Sequence, residues 1–60
     1  MNFQFFATCP RGLEALLVEE LSTQQAHKIL ATDGGVSFEG NLEIMYRVNL
    51  YSRIATRVMS

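Results

Sequence analysis

Phe3-Gln4-Phe5-Phe6-Ala7-Thr8-Cys9-Pro10-Arg11-Gly12-Leu13-Glu14-Ala15-Leu16-Leu17 is the stretch on which the fold turns, because a strand pattern gives way to a helix pattern inside it. Phe3, Phe5 and Ala7 alternate with Gln4, Phe6 and Thr8, which predicts a strand whose second face is made partly apolar by Phe6. Pro10 suits the first turn of a helix, where its missing N–H costs nothing. Leu13, Leu16, Leu17 and Leu21 then recur at helical spacing and form one apolar stripe. Glu14 falls in the first turn, where the helix dipole favours an anion.

Downstream, Ser22-Thr23-Gln24-Gln25 loses the period, and His27 to Thr32 reads as a second strand. Asp33-Gly34-Gly35 is a turn signal, since glycine tolerates the positive φ that tight hairpins require. Val36-Ser37-Phe38-Glu39 alternates and closes the hairpin. Gly40-Asn41 stops that strand, and Asn41 is a good N-cap for a second helix. Leu42, Met45, Tyr46 and Leu50 mark its apolar stripe, with Glu43 and Arg47 paired at i,i+4 in the favoured order. A last strand runs from about Ala55 to Met59, with Ala55, Arg57 and Met59 on one face. The order β-α-β-β-α-β predicts an α+β, ferredoxin-like domain: a four-stranded antiparallel sheet with both helices on one face. Leu13, Leu17, Leu42 and Tyr46 are expected to meet over Phe5 and Val36.

Size and charge narrow the function classes. The chain has 60 residues, 48% of them hydrophobic, which makes it one domain and rules out a disordered segment. A core of this size rarely supplies more than about 3–5 kcal/mol. The chain closes on Val58-Met59-Ser60, inside a predicted strand, so a fragment or a domain with a covering neighbour is expected. Five Lys/Arg against six Asp/Glu give a net charge of −1, without the basic excess of an autonomous nucleic-acid binder. A single cysteine excludes an internal disulfide and fits a reducing compartment. No signal-peptide pattern and no run of membrane-spanning length is found, so a cytoplasmic location without a membrane partner is expected.

The chemistry-bearing residues are few. Cys9 sits at the strand–helix junction, but Gly12 stands where a Cys-x-x-Cys metal site would need its second thiolate. A structural or metal-handling domain centred on Cys9 is the weakest of three readings. His27 has no partner nearby in sequence and reads as a solvent-facing strand-start residue. Glu19 and Glu20 point about 100° apart on a helix, which suits a solvated face better than an acid/base pair. Gly34-Gly35 joins two strands and not a strand to a helix, so turn geometry explains it better than a phosphate loop does. No catalytic, cofactor-binding or metal-binding residue is expected. Arg11, Lys28, Arg53 and Arg57 are the candidate RNA-contacting residues, against the alternative that they cap helices and form surface ion pairs. Phe3, Phe5, Phe6 and Phe38 offer rings for base stacking, as in a stand-alone RNA-recognition module. Core packing explains them better, because Gly34 to Gly40 lacks that module's basic start and second aromatic.

Three stretches together carry a resemblance: Phe6 to Glu14 with Glu20-Leu21, then Gly34 to Gly40, then Tyr51 to Val58. In that order they resemble the N-terminal segment of THUMP-containing bacterial methyltransferases that modify guanine N2 in large-subunit ribosomal RNA. The resemblance implies a ferredoxin-like front piece that helps target ribosomal RNA through an adjacent THUMP module. It further implies intramolecular contact with downstream domains, and S-adenosylmethionine bound by a Rossmann-type catalytic domain. No Asn-Pro-Pro-Tyr-like catalytic loop occurs in these residues. Arg53 and Arg57 match the family pattern, as phosphate contacts or as braces of the domain.

Overall fold

The computed structural model describes residues 2–59; Met1 and Ser60 lie outside the described residues. The elements run β1 (Phe3–Thr8), α1 (Glu14–Thr23), β2 (His27–Thr32), β3 (Gly35–Gly40), α2 (Leu42–Tyr51) and β4 (Arg57–Met59). The sheet order is β2-β3-β1-β4, with each neighbouring pair antiparallel. This is the expected ferredoxin-like arrangement. No helix among the described residues is long and apolar enough to cross a membrane.

Alternation in the two central strands sets the layers. Phe5 lies opposite Phe38 and Ala7 opposite Val36, so all four side chains share one face. Leu17 and Leu21 from α1, with Ile44 and Val48 from α2, cover that face, and Cys9 completes the buried core. The Phe5 and Phe38 rings stand 5.5 Å apart and tilted. Both helices therefore lie on the same side of the sheet.

Helix α2 is rotated away from its expected stripe. Leu42, Tyr46 and Leu50 are exposed, while Ile44 and Val48 are buried and Met45 packs at the edge of the core. Leu17 joins Phe5 and Val36 in the core as expected; Leu13, Leu42 and Tyr46 do not. The helix carries two apolar stripes, and its entry selects between them. Asn41 caps it by accepting from the Ile44 N–H at 2.8 Å. A Cβ on buried Gly40 would stand 3.1 Å from Ile44, so that missing side chain lets Ile44 press against the strand end.

The start of α1 also differs from expectation. Pro10 opens a turn closed by Leu13 N–H to Pro10 C=O at 3.1 Å, and Gly12 at φ 98° separates that turn from the helix. Leu16 is exposed, leaving Leu17 and Leu21 as the buried positions. The helix ends in a Schellman motif, in which Ala26 N–H reaches Leu21 C=O and Gln25 N–H reaches Ser22 C=O. Gln25 holds the left-handed position at φ 66°, where glycine is usual.

At the hairpin, Gly34 takes φ 77° at the tip, and Gly35 is needed for a different reason. A Cβ there would fall 2.4 Å from the Phe6 ring, which lies directly over the glycine. Beyond α2, the last strand is shorter than expected. Ala55 N–H is held by the Ser52 hydroxyl at 3.1 Å, Thr56 N–H donates to the Thr8 C=O at 2.6 Å, and the ladder with β1 runs from Arg57.

Two substitutions test this geometry. Gln25→Gly removes about 1–2 kcal/mol of left-handed strain against roughly 0.5–1 kcal/mol of added unfolded-state freedom, so it should stabilise by about 0.5–1 kcal/mol in denaturant melts. Gly35→Val should displace the Phe6 ring and destabilise by about 1–3 kcal/mol in the same assay, the cost of overpacking a close contact.

Candidate nucleic-acid interface

The junction after β1 is locked by a carboxylate. Glu14 Oε1 accepts from Gly12 N–H at 2.9 Å and Oε2 accepts from Gly34 N–H at 2.7 Å. Cys9 N–H donates to Gly34 C=O at 2.9 Å alongside. One side chain thus clips the β1–α1 loop to the β2–β3 turn, joining two of the three stretches that carry the family resemblance. The Gly34 amide is the main reason that the Glu14 carboxyl is held below its usual range, followed by its own amide and that of Gly12. The Arg11 charge adds least, and desolvation opposes the shift.

This clip also bears on the cofactor. A carboxylate already occupies the junction's amides, which would otherwise be free to receive the carboxylate of S-adenosylmethionine. The residues at this strand–helix turn therefore do not fit that group.

The four candidate cations are not gathered into one patch. Arg57 lies opposite Thr8 in the register, and Thr8 Oγ1 donates to the Arg57 C=O at 3.4 Å. Arg11 follows Thr8 by three residues, so both belong to the end of the sheet where β1 finishes. Arg11 approaches Asp33 at 3.9 Å, an exposed and weak ion pair. Lys28 sits at the opposite end, in a left-handed conformation at φ 50° within a bulge of β2, 3.6 Å from Glu39. Arg53 lies beyond the end of α2, where its main-chain N–H donates to Glu20 Oε2 at 3.3 Å and its side chain is exposed. It does not cap the helix. Among the described residues, Arg53 and Arg57 carry no ion pair, whereas Arg11, Lys28 and Arg47 do.

Of the four phenylalanines, Phe5 and Phe38 are in the core, and Phe3 shares their face of β1. Phe6 alone reaches the open face. With Gln4, Phe5, Ser37 and Met59 it lines a shallow hollow of about 540 Å³. Met59 lies opposite Phe6 and two residues from Arg57 on the same strand, so an apolar depression and an unpaired arginine share one surface. Met59, Gln4 and Ser37 were not singled out by sequence. The signal was the phase of alternation in β1, which places Gln4, Phe6 and Thr8 away from the core.

Other residues prove structural. Cys9 is 8% exposed, and burial first, then the Glu14 charge, pushes its thiol above the ordinary value, so it is a poor nucleophile. Glu20 is not part of a solvated face. It accepts from the Ser52 hydroxyl, and Ser52 Oγ accepts in turn from Ile54 and Ala55 N–H, which ties α1 to the segment after α2. His27 is exposed at the start of β2. Among the described residues, no group of three His, Cys, Asp or Glu side chains is placed to hold a metal.

Comparison with known proteins places this geometry. Residues 4–59 match the family model described as the RlmL ferredoxin-like domain. The chain is 52% identical over 59 residues to the ribosomal RNA large subunit methyltransferase K/L of Methylococcus capsulatus, covering 98% of this chain and 8% of that protein. It is 50% identical over 56 residues to the protein of that name from Aeromonas salmonicida, covering 93% of this chain and 8% of the relative. The crystal structure of a predicted N6-adenine-specific DNA methylase from Listeria monocytogenes superposes with a TM-score of 0.87 at 38% identity. That likeness covers 97% of this chain and 15% of that one. The chain therefore spans about 8% of the length of the curated relatives it matches.

The Glu14 clip has a defined pH signature. Because the folded-state carboxyl is lowered, its stabilisation is present above the unfolded-state value of about 4.3 and is lost as pH falls through the lower folded-state value. Glu14→Gln should melt measurably below wild type at pH 7. The gap should close in thermal melts taken below the folded-state value, where both side chains are neutral.

Proposed function

Because the chain belongs to the RlmL ferredoxin-like domain family, we propose that it is an accessory RNA-targeting domain of an S-adenosylmethionine-dependent ribosomal RNA (guanine-N2)-methyltransferase. The observation that carries this reading is likeness at 50–52% identity, over 93–98% of the chain, to ribosomal RNA large subunit methyltransferases. On this reading the parent holds a THUMP module and a Rossmann-type catalytic domain outside these residues. The methyl donor binds there, and the enzyme works in the cytoplasm, where its ribosomal RNA is found.

The mechanism is positioning. An enzyme that methylates a base takes it out of the stack, and extrusion needs the flanking RNA to be held in register. Arg53 and Arg57, unpaired and exposed, suit phosphate contacts that set orientation without reading sequence. The net charge of −1 limits what the segment holds alone, so its contacts add to those of the neighbouring module. Phe6 and Met59 beside Arg57 offer an apolar seat for one unstacked base.

In the parent enzyme, Arg57→Gln should weaken RNA binding roughly three- to tenfold and reduce the salt slope by about one, with Arg53→Gln acting similarly. The loss should fall on KM for RNA, with kcat within about twofold, because the reacting atoms lie elsewhere. Unchanged RNA affinity and salt slope in the double variant would remove both arginines from the interface. Methyl transfer to ribosomal RNA by the sixty-residue chain alone would overturn the accessory role itself.

A further inference from the structure

The stripe expected to enter the core faces outward instead. Leu42, Tyr46 and Leu50 stand at i, i+4 and i+8 on α2 and are 58%, 62% and 55% exposed. Successive positions four apart lie on one helix face, so the three side chains form a continuous apolar ridge opposite Ile44 and Val48. Scattered exposed leucines need no explanation, but a ridge along a whole helix marks a contact surface.

The flanks of the ridge identify its occupant. On one side, Glu43 and Arg47 neutralise each other at 3.1 Å. On the other, the Asn49 amide is turned back onto the Met45 C=O at 3.2 Å and the Met45 sulfur at 3.0 Å. The surface thus carries no net charge, and a phosphate backbone gains little from it. An apolar ridge with a central tyrosine suits the packed core of a protein contact, laid into a groove as an amphipathic helix. In the relatives this chain is 8% of the polypeptide, and in the Listeria structure 15% of its chain. A groove on the same polypeptide competes at an effective concentration on the order of millimolar, above that of a second molecule in dilute solution.

We infer that the Leu42–Tyr46–Leu50 ridge of α2 is the seat by which this domain packs against a neighbouring domain of its own parent polypeptide. This rests on the accessory-domain reading and assigns its two sides. The open sheet face with Arg57 is left to RNA, and the outer face of α2 fixes the domain's orientation.

The test is hydroxyl-radical footprinting of the intact parent enzyme, read residue by residue by mass spectrometry and normalised to the same residues in the urea-unfolded enzyme. A free ridge, more than half exposed at each position, would oxidise within about twofold of the unfolded rate; a seated one should be slowed at least about fivefold. Slowing at all three residues, in RNA-free enzyme diluted until light scattering reports a monomer, is the expected result. Rates near the unfolded value would overturn the inference. So would slowing that appears only on concentration, which assigns the ridge to a second copy, or only on addition of ribosomal RNA. Methylation by parent enzyme lacking residues 2–59 is scored separately. Undiminished activity there would sink the accessory role, whatever the footprint shows.

Discussion

Opposition of Phe5 to Phe38 and of Ala7 to Val36 is the constraint on which the molecule rests. A slip of one residue in β1 against β3 would turn Phe5 and Ala7 to the open face and leave Phe38 and Val36 without them, because the period of a strand is two. Leu17, Leu21, Ile44 and Val48 have no other apolar layer to cover. Loss of the Phe38 ring alone would cost about 3–5 kcal/mol, as much as a core of this size supplies in total. The register is therefore reinforced at its end. The Glu14 carboxylate and the Cys9–Gly34 hydrogen bond fasten the tip of the hairpin to the loop that leaves β1.

The sheet and both helices were legible because the period changes sharply, from two in Phe3–Thr8 to 3.6 after Leu13. The rotation of α2 was not. Its apolar residues fit two stripes almost equally, and periodicity cannot choose between them. The choice is made by Gly40, whose missing side chain admits Ile44, and by the Asn41 cap that sets the first turn. Both are local facts, yet they act through a contact with the strand end that a one-dimensional pattern does not contain. Pro10 shows a similar limit. It is competent to begin a helix, but Gly12 at positive φ makes the turn a separate unit.

The candidate site was legible only in its parts. Arg11, Lys28, Arg53 and Arg57 were each visible as cations, but their grouping depends on which ends of which strands meet. Lys28 is carried to the far end of the sheet and paired with Glu39, while Arg57 comes to the end that Arg11 shares. Glu20 likewise looked like one carboxylate of a solvated pair. Its link to Ser52 spans 32 positions and depends on how the end of α2 meets α1. Long-range hydrogen bonds of this kind decide whether a charged residue is a tether or a free group.

The two margins of the sheet differ from its centre in a way that affects how the domain behaves among other chains. Among the described residues, β4 pairs with β1 over three residues. β2 is mostly exposed, but its ladder is interrupted between His27 and Leu30, where Lys28 turns through a left-handed conformation with its ammonium outward. A foreign strand approaching that border would meet a kink and a charge where it needs a flat row of amides and carbonyls. The β2 border is consequently a poor template for further strand growth, whatever apolar surface the domain carries elsewhere.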